Sequence, residues 1–292
     1  MSIKVMNPGA MTTVQDRGRL GYQSKGVRAC GVMDAQAYSD AVKLAGGRDG
    51  DAVLEMTLFG GTYIFENETV FAMTGADMMP VLNGKPCPMD RRITAKAGDK
   101  LTLGFAARGC RTYLAVCGGV DVPEVMGSRS TDVKCGIGGM NGRALKAGDI
   151  VPVGTCVSVL EPCKTPEART FPDEIVIRAI PGPQDGMFTA KGLDTFFGTA
   201  YKVSENSDRM GYRLSGEKIE SINGTDIISD GIVFGSVQIT AEGLPIILMA
   251  DRQTTGGYAK IATVISADLP LLAQARPGNT VRFRKISIED IK

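Results

Sequence analysis

The sequence contains no histidine. That absence removes the usual general base near neutral pH, the commonest zinc ligand and the ordinary activator of serine and cysteine nucleophiles. Chemistry in this chain has to rest on Asp, Glu, Lys, Arg, Tyr, hydroxyls, thiols or backbone amides, and no protein metal site is expected. An apolar leader is missing from the first residues, and no stretch approaches the roughly 18 consecutive apolar residues of a membrane span. A cytoplasmic protein without membrane association is the expectation. A charge excess is missing too: 33 Lys and Arg stand against 32 Asp and Glu, so no overall field favours nucleic acid. The seven cysteines, at 30, 87, 110, 117, 135, 156 and 163, make no C-x-x-C and no dense framework, so reduced thiols are expected. Cys110 and Cys117, flanking the run from Arg111 to Val116, read as small buried apolar residues. Neither G-x-x-x-x-G-K-[ST] nor a Rossmann G-x-G-x-x-G after a strand occurs. The glycine-rich run Gly136 to Gly142 lacks a βαβ context and reads as a flexible hairpin. No Ala-Met-Lys-Met biotin-attachment motif is present, so any biotin would ride on another chain.

What the chain does have is glycine, 37 in 292 residues, against an ordinary share of about 7%. Turn residues bound short apolar runs at 62–66, 69–74, 101–105, 112–117, 174–180, 245–250 and 280–286, which read as strands. Leu101, Leu103 and Phe105 alternate with smaller or polar residues, as do Val281 and Phe283 with arginines. Asn83-Gly84 signals a hairpin. Helices are few: one capped by Asp34 and closed by Gly46, with Ala37, Ala41, Val42 and Leu44 on its apolar face, and a short one capped by Asp268. A turn recurs before strands, as Ala97-Gly98-Asp99, Ala147-Gly148-Asp149 and Pro277-Gly278-Asn279, and hints at two similar β-barrel modules. The length predicts about two domains, and the polar, proline-containing stretch 161–172 marks the division. The expectation is a mainly β chain with an N-terminal β lobe over 1–165 and a C-terminal β lobe over 166–292.

Four segments join glycine to charged or hydroxyl residues: 12–19, 127–131, 207–214 and 251–258. Glycine permits close approach, hydroxyls and amides donate to anions, and arginine grips carboxylate or phosphate with a planar fork. Ordinary turn chemistry selects the same residue types, so each segment alone also reads as a turn. Together they point to a site, with Arg17, Ser128 and Arg129 among its binding residues. The 251–258 segment carries most weight because it directly follows an apolar strand, a rigid platform. There Asp251 is a candidate general base or magnesium ligand, Gln253 and Thr255 candidates to orient substrate, and Gly256 and Gly257 candidates to present amides to an oxyanion. Tyr258 either joins them or caps a barrel. Glu55, a charge inside an apolar strand, either points into a site or pairs with an arginine. Arg209, Asp251 and Thr255 are expected to line one pocket as the catalytic group.

The pieces Thr-Val-Gln-Asp-Arg-Gly-Arg at 13–19, Leu-Glu-Met-Thr at 54–57, Gly-Ser-Arg-Ser-Thr at 127–131, Asp-Arg-Met-Gly at 208–211 and residues 251–258, with others between, run in order along the chain. They resemble the family called allophanate hydrolase subunit 2, or biotin-dependent carboxyltransferase domain, in the branch of the 5-oxoprolinase C subunit and the KipI antagonist. The resemblance implies a cyclophilin-like β-barrel architecture in two lobes. It further implies a partner of the allophanate hydrolase subunit 1 family, like the B subunit of 5-oxoprolinase, and a lactam-utilisation protein like its A subunit. The implied activity is ATP-dependent opening of 5-oxoproline to glutamate, with ATP and magnesium used by the complex. Two alternatives come with the family: transfer of a carboxyl group from carboxybiotin to urea, and regulatory binding that antagonises a sensor-kinase inhibitor. A chain of this length without fused carboxylase or carrier segments fits the oxoprolinase branch better.

Overall fold

A computed structural model of the chain describes residues 1–156 and 164–291. The chain divides into two compact units, Met1–Leu20 with Cys30–Thr170, and Gly21–Ala29 with Phe171–Lys292. Part of the expected boundary stretch, 161–163, lies outside the described residues, as does Cys163.

The first unit holds β1 (Ser2–Asn7), β2 (Thr12–Gln15), α1 (Ala35–Ala45), β3 (Val53–Thr57), β4 (Thr62–Phe65), β5 (Thr69–Asp77), β6 (Val81–Leu82), β7 (Lys85–Pro86), β8 (Arg92–Ala95), β9 (Lys100–Thr102), β10 (Arg108–Val116) and β11 (Ile150–Pro152). They form a six-stranded sheet, β11-β1-β4-β9-β6-β7, and a five-stranded one, β2-β3-β10-β5-β8. Side chains alternate along a strand, and here both sets are apolar. Leu54, Met56, Phe71, Met73, Leu114 and Val116 share a core with Ile3, Val5, Tyr63, Phe65 and Leu101 of the other sheet. Val53, Ala72, Tyr113 and Ala115 pack instead under Ala37, Tyr38, Ala41, Val42, Leu44 and Ala45 of α1. The five-stranded sheet is therefore covered on both faces. The Asp34 carboxylate accepts from the Ala37 amide at 2.8 Å, and Gly46 ends the helix in the left-handed conformation, as the sequence predicts.

The second unit holds β12 (Glu174–Pro181), α2 (Ala190–Gly198), β13 (Ala200–Val203), β14 (Gly211–Ser215), β15 (Asp226–Gly231), β16 (Ser236–Ile239), β17 (Pro245–Leu248), β18 (Thr255–Tyr258), β19 (Lys260–Val264), α3 (Leu269–Ala273) and β20 (Thr280–Lys285). Seven strands close a barrel in the order β12-β19-β16-β17-β14-β13-β20, while β15 and β18 form a separate ribbon. Inward residues such as Ile177, Tyr201, Val237, Ile247, Val281 and Phe283 are almost wholly buried, so the barrel is filled with side chains. The mainly β, barrel-bearing class with few helices is borne out; the closed barrel belongs to the second unit, and the first builds two open sheets.

The recurrent turn has one geometry in both units. The amides of Lys96 and Lys146 donate to the carboxylates of Asp99 and Asp149 at 2.8 Å, and that of Arg276 to the Asn279 side chain at 2.7 Å. Gly98, Gly148 and Gly278 take φ of 87°, 90° and 91°, and the amides of Asp99, Asp149 and Asn279 donate back to Lys96, Lys146 and Arg276, a β-turn that needs glycine before its last residue.

Several expectations need correcting. Asp268 does not cap α3; its carboxylate instead accepts from the Arg178 amide at 2.7 Å and from the Arg178 guanidinium at 3.0 and 2.6 Å. Helix α2, hidden in the sequence by its own glycines, is capped by Thr189; Gly192 is required because a Cβ there would run into the Glu220 carbonyl. Phe105 is exposed, with its ring 4.7 Å from that of Phe59. Cys117 is bonded to Cys156 rather than being a lone apolar filler, with Cα atoms 5.0 Å apart. The cause lies next to the cysteines: Gly118 and Gly154 pack backbone to backbone, which no side chain would permit, and the Gly154 amide donates to Gly119 at 3.0 Å. Cys30, Cys87, Cys110 and Cys135 are not bridged.

The Gly136–Gly142 run is a tightly packed turn rather than a flexible one. A Cβ on Gly138 would meet the Ser130 carbonyl and the Arg19 guanidinium, one on Gly139 the Thr131 hydroxyl, and one on Gly142 the Gly136 backbone. Gly142 and Gly148 both have positive φ, but a Cβ on Gly148 meets nothing within 4 Å. Gly148→Ala should therefore cost only the left-handed backbone penalty of about 1–2 kcal/mol, and Gly142→Ala at least about 1 kcal/mol more from overpacking. Denaturant titration of the two variants checks the order; equal losses would show that the turn at Gly142 yields freely.

Candidate functional site

In the second unit, β17 runs out through Met249 and Ala250 into the 251–258 segment. The Met249 amide donates to Met210 at 2.9 Å and the Asp251 amide to Arg209 at 2.8 Å, so the segment is held beside 208–211. There the Asp208 carboxylate folds its own turn by accepting from the Met210 and Gly211 amides at 2.7 and 3.2 Å. Arg209 and Asp251, 42 positions apart, meet as expected. Their contact is with each other: Nε and Nη2 of Arg209 lie 3.0 and 2.8 Å from the two Asp251 oxygens, and both residues are buried. The fork and the carboxylate are thus engaged in a bidentate pair, which occupies both oxygens that a magnesium ion or a substrate proton would use. The pair locks the loop onto the neighbouring turn.

Two glutamines fix the backbone further along. The Gln23 side-chain amide donates to the Ile232 and Thr254 carbonyls at 2.7 and 3.0 Å, clamping the base of the β15–β18 ribbon. The buried Gln238 donates to the Tyr258 carbonyl at 3.0 Å. A Cβ on Gly256 would come within 2.6 Å of the Ile232 side-chain tip and 2.8 Å of the Gln238 amide nitrogen, so a larger residue there would have to displace both. Thr255 pairs across the ribbon with Gly231, Gly256 with Asp230 and Tyr258 with Asp226. Gln253 and Thr255 are exposed, Gly256, Gly257 and Tyr258 half-buried. The side chains of Gln253, Thr255 and Tyr258 form no hydrogen bond with a described residue. Among the described residues no group of three or more His, Cys, Asp or Glu side chains is placed to hold a metal ion.

One group beside this ribbon was missed. Lys260, almost fully buried, reaches Asp230 at 3.0 Å, and the Gln184 side chain accepts from the Lys260 amide at 3.1 Å while approaching Asp230 at 3.5 Å. The signal was available, since Lys260 is a charge in an otherwise apolar strand, as Glu55 is in β3.

The remaining predicted residues belong to the first unit. Ser128 and Ser130 hydroxyls donate to Asp16 at 2.6 Å each, joined by the Arg129 amide at 2.6 Å and the Gly18 amide at 2.8 Å. This buried carboxylate ties the 12–19 and 127–131 segments together. The Arg129 guanidinium is spent on its own loop, on the Val122 carbonyl at 2.8 Å, Glu124 at 2.6 Å and Asp121 at 3.1 Å. Arg17 pairs with Asp49 at the surface. Glu55 resolves towards pairing: it accepts from the Met33 amide at 2.9 Å and lies 3.9 Å from Arg111. Beside it the Tyr113 hydroxyl accepts from the Asp34 amide at 2.8 Å. Burial, then the Glu55 and Asp34 carboxylates, pushes the Tyr113 phenol well above its ordinary value. These groups set the entry to α1.

The hydrogen bond from Lys260, followed by the Gly231 amide, holds the Asp230 carboxyl below the ordinary range. A carboxylate with a folded value below its unfolded one contributes stability above about pH 4 that is lost as pH falls through the folded value. Asp230→Asn should accordingly lower Tm at pH 7, where it strands the buried Lys260 ammonium, and the deficit against the parent should shrink below about pH 4. Thermal melts across that range test it; a deficit independent of pH would assign the loss to packing.

Comparison with known proteins places the chain in a family. The chain is 41% identical over 288 residues to the C subunit of 5-oxoprolinase from Escherichia coli, spanning 99% of this chain and 92% of that protein. It is 37% identical to the corresponding 5-oxoprolinase C subunit of Haemophilus influenzae over the same shares. The crystal structure of Kluyveromyces lactis urea carboxylase matches with a TM-score of 0.92 at 32% identity, over 98% of this chain and 27% of that one. Residues 25–285 match the family described as carboxyltransferase domain, subdomain A and B, and to that family the chain belongs.

Proposed function

We propose that the chain is the C subunit of an ATP-dependent 5-oxoprolinase, a hydrolase acting on a cyclic amide. It would work in the cytoplasm with a B-type partner of the allophanate hydrolase subunit 1 family and an A-type lactam-utilisation protein. The observation that carries this reading is the 41% identity sustained over 92% of the Escherichia coli protein. ATP and magnesium belong to the complex. On the chain itself, the Arg209–Asp251 pair, Gln23 and Gln238 position the ribbon. Thr255 and Gln253 then offer donors where charge builds on the lactam oxygen as it is activated, with Tyr258 beside them. Gly256 and Gly257 let the substrate approach the backbone. Fixed donors aimed at a developing oxyanion commonly supply the largest part of a rate enhancement.

A second reading, the carboxyltransferase part of a biotin-dependent urea carboxylase, is favoured by the TM-score of 0.92 to the Kluyveromyces lactis enzyme. Both chemistries hold a weakly nucleophilic amide, and in the second the biotin would arrive on another chain. Reconstitution separates them. The chain alone should release no glutamate from 5-oxoproline, whereas the chain with its B-type and A-type partners, ATP and magnesium should turn over. Glutamate release by the isolated chain would refute the division of labour. Urea-dependent consumption of carboxybiotin, without lactam opening by the complex, would decide for the second reading.

In the assembled enzyme, Arg209→Lys and Asp251→Asn should each slow turnover more than about threefold, a barrier change of about 0.6 kcal/mol, because an ammonium cannot reproduce the planar fork. Thr255→Val should lower kcat while leaving Tm unchanged, since Thr255 is exposed. If all three variants stayed within about threefold of the parent rate, the ribbon would not be the site.

A further inference from the structure

On the second unit, beside the end of the β15–β18 ribbon where Asp226 pairs with Tyr258, lies a cleft of about 340 Å³ whose lining includes Lys218, Ser221, Thr225, Asp226, Glu242 and Gly243. Its walls are fixed by backbone hydrogen bonds. The Ile219 amide donates to Gly243 at 2.9 Å, the Gly243 amide to Thr240 at 2.9 Å, and the Ala259 amide to Thr225 at 2.8 Å. Gly243, at φ 80°, brings two walls together, since a Cβ there would lie 3.2 Å from the Ile219 carbonyl. The cleft is preformed.

Two independent observations give it a ligand. First, Thr225 is 4% exposed, and its hydroxyl is buried without any hydrogen-bond partner. A buried hydroxyl left unsatisfied costs about 1–3 kcal/mol, and native structures seldom keep one without a use. Thr225 lines the cleft, so an occupant there can supply the partner that its hydroxyl lacks. Second, the rim carries both signs of charge unspent: Lys218, Asp226 and Glu242 are all exposed, and none forms an ion pair with a described residue. A ligand with a single charge would leave the opposite rim facing its like. A zwitterion satisfies both, its carboxylate on Lys218 and its ammonium, with three donors, shared between Asp226 and Glu242. The hydroxyls of Ser221 and Thr225 then favour an uncharged polar side chain.

We propose that this cleft binds a free α-amino acid with an uncharged polar side chain. The proposal does not depend on the 5-oxoprolinase reading. Calorimetric titration of the full chain with L-glutamine tests it, with glutaramate, which lacks only the ammonium, as the comparison ligand. L-Glutamine should bind with a Kd in the roughly millimolar range or tighter, and glutaramate about tenfold more weakly. Thr225→Val should weaken L-glutamine at least about fivefold while Tm holds or rises, since a buried orphan hydroxyl is removed. Glu242→Gln, at an exposed position that tolerates change, should weaken L-glutamine by a similar factor and leave glutaramate unaffected. The proposal is overturned by the absence of L-glutamine binding at millimolar concentration. It is equally overturned by glutaramate binding as tightly, or by both variants binding L-glutamine as the parent does.

Discussion

Charge that leaves water has to be answered inside the protein, and this constraint organises both units. An isolated ionised side chain in a low-dielectric interior is too costly to persist, whereas a paired and hydrogen-bonded one is tolerated. Asp16 is met by two hydroxyls and two amides, Glu55 by the Met33 amide and Arg111, Arg209 by Asp251 and Lys260 by Asp230. Apart from the Gly18 amide, these partners come from segments far apart in sequence, by 112 and 114 positions for the Asp16 hydroxyl partners and 42 for Arg209 with Asp251. The polar contacts thus fix which loops lie together, while the apolar cores supply the bulk of the driving force. Such pairs contribute more to specifying one arrangement than to net stability.

Much of this was legible from local patterns. Period-2 apolar runs located the strands, Asp34 and Gly46 bounded α1, and the turns closed by Asp99, Asp149 and Asn279 share one geometry because each needs a glycine at positive φ before its last residue. What failed depended on long-range neighbours. Nothing near Asp268 in the sequence announces that Arg178 takes its carboxylate from the helix amides. Helix α2 was not expected because Gly192 and Gly198 lower its propensity, yet Gly192 is there for the Glu220 carbonyl. The Cys117–Cys156 bond spans 39 positions and follows from two glycines pressed together. Disulfide partners cannot be deduced from spacing.

The candidate site was legible in part for the same reason. Glycine with charge and hydroxyl marked 251–258 and 207–214, and these do meet. Yet the residue types that suggested ligand binding, arginine and aspartate, satisfy each other, and the same happens to Arg129 in its loop. Sequence composition identifies groups able to form strong contacts without indicating whether the partner is a substrate or the chain itself. Lys260 shows the converse: its charge on a mostly apolar strand marks a buried pair although no glycine-rich segment contains it.

The barrel limits where a substrate can sit. Ile177, Tyr201, Val237, Ile247, Val281 and Phe283 fill its interior, and the ring of Phe196 from α2 stacks 4.3 Å from Phe283. With its axis filled, the barrel leaves a ligand only its outside, and the 251–258 segment is one of the connections there. Its backbone is restrained by Asp251 through Arg209, at Thr254 through Gln23 and at Tyr258 through Gln238. The restraints use side chains that face the protein, so Gln253, Thr255 and Tyr258 keep theirs uncommitted. A loop built in this way combines a rigid frame with available donors, as electrostatic stabilisation of a transition state requires, because donors already fixed in place need no reorganisation when charge develops.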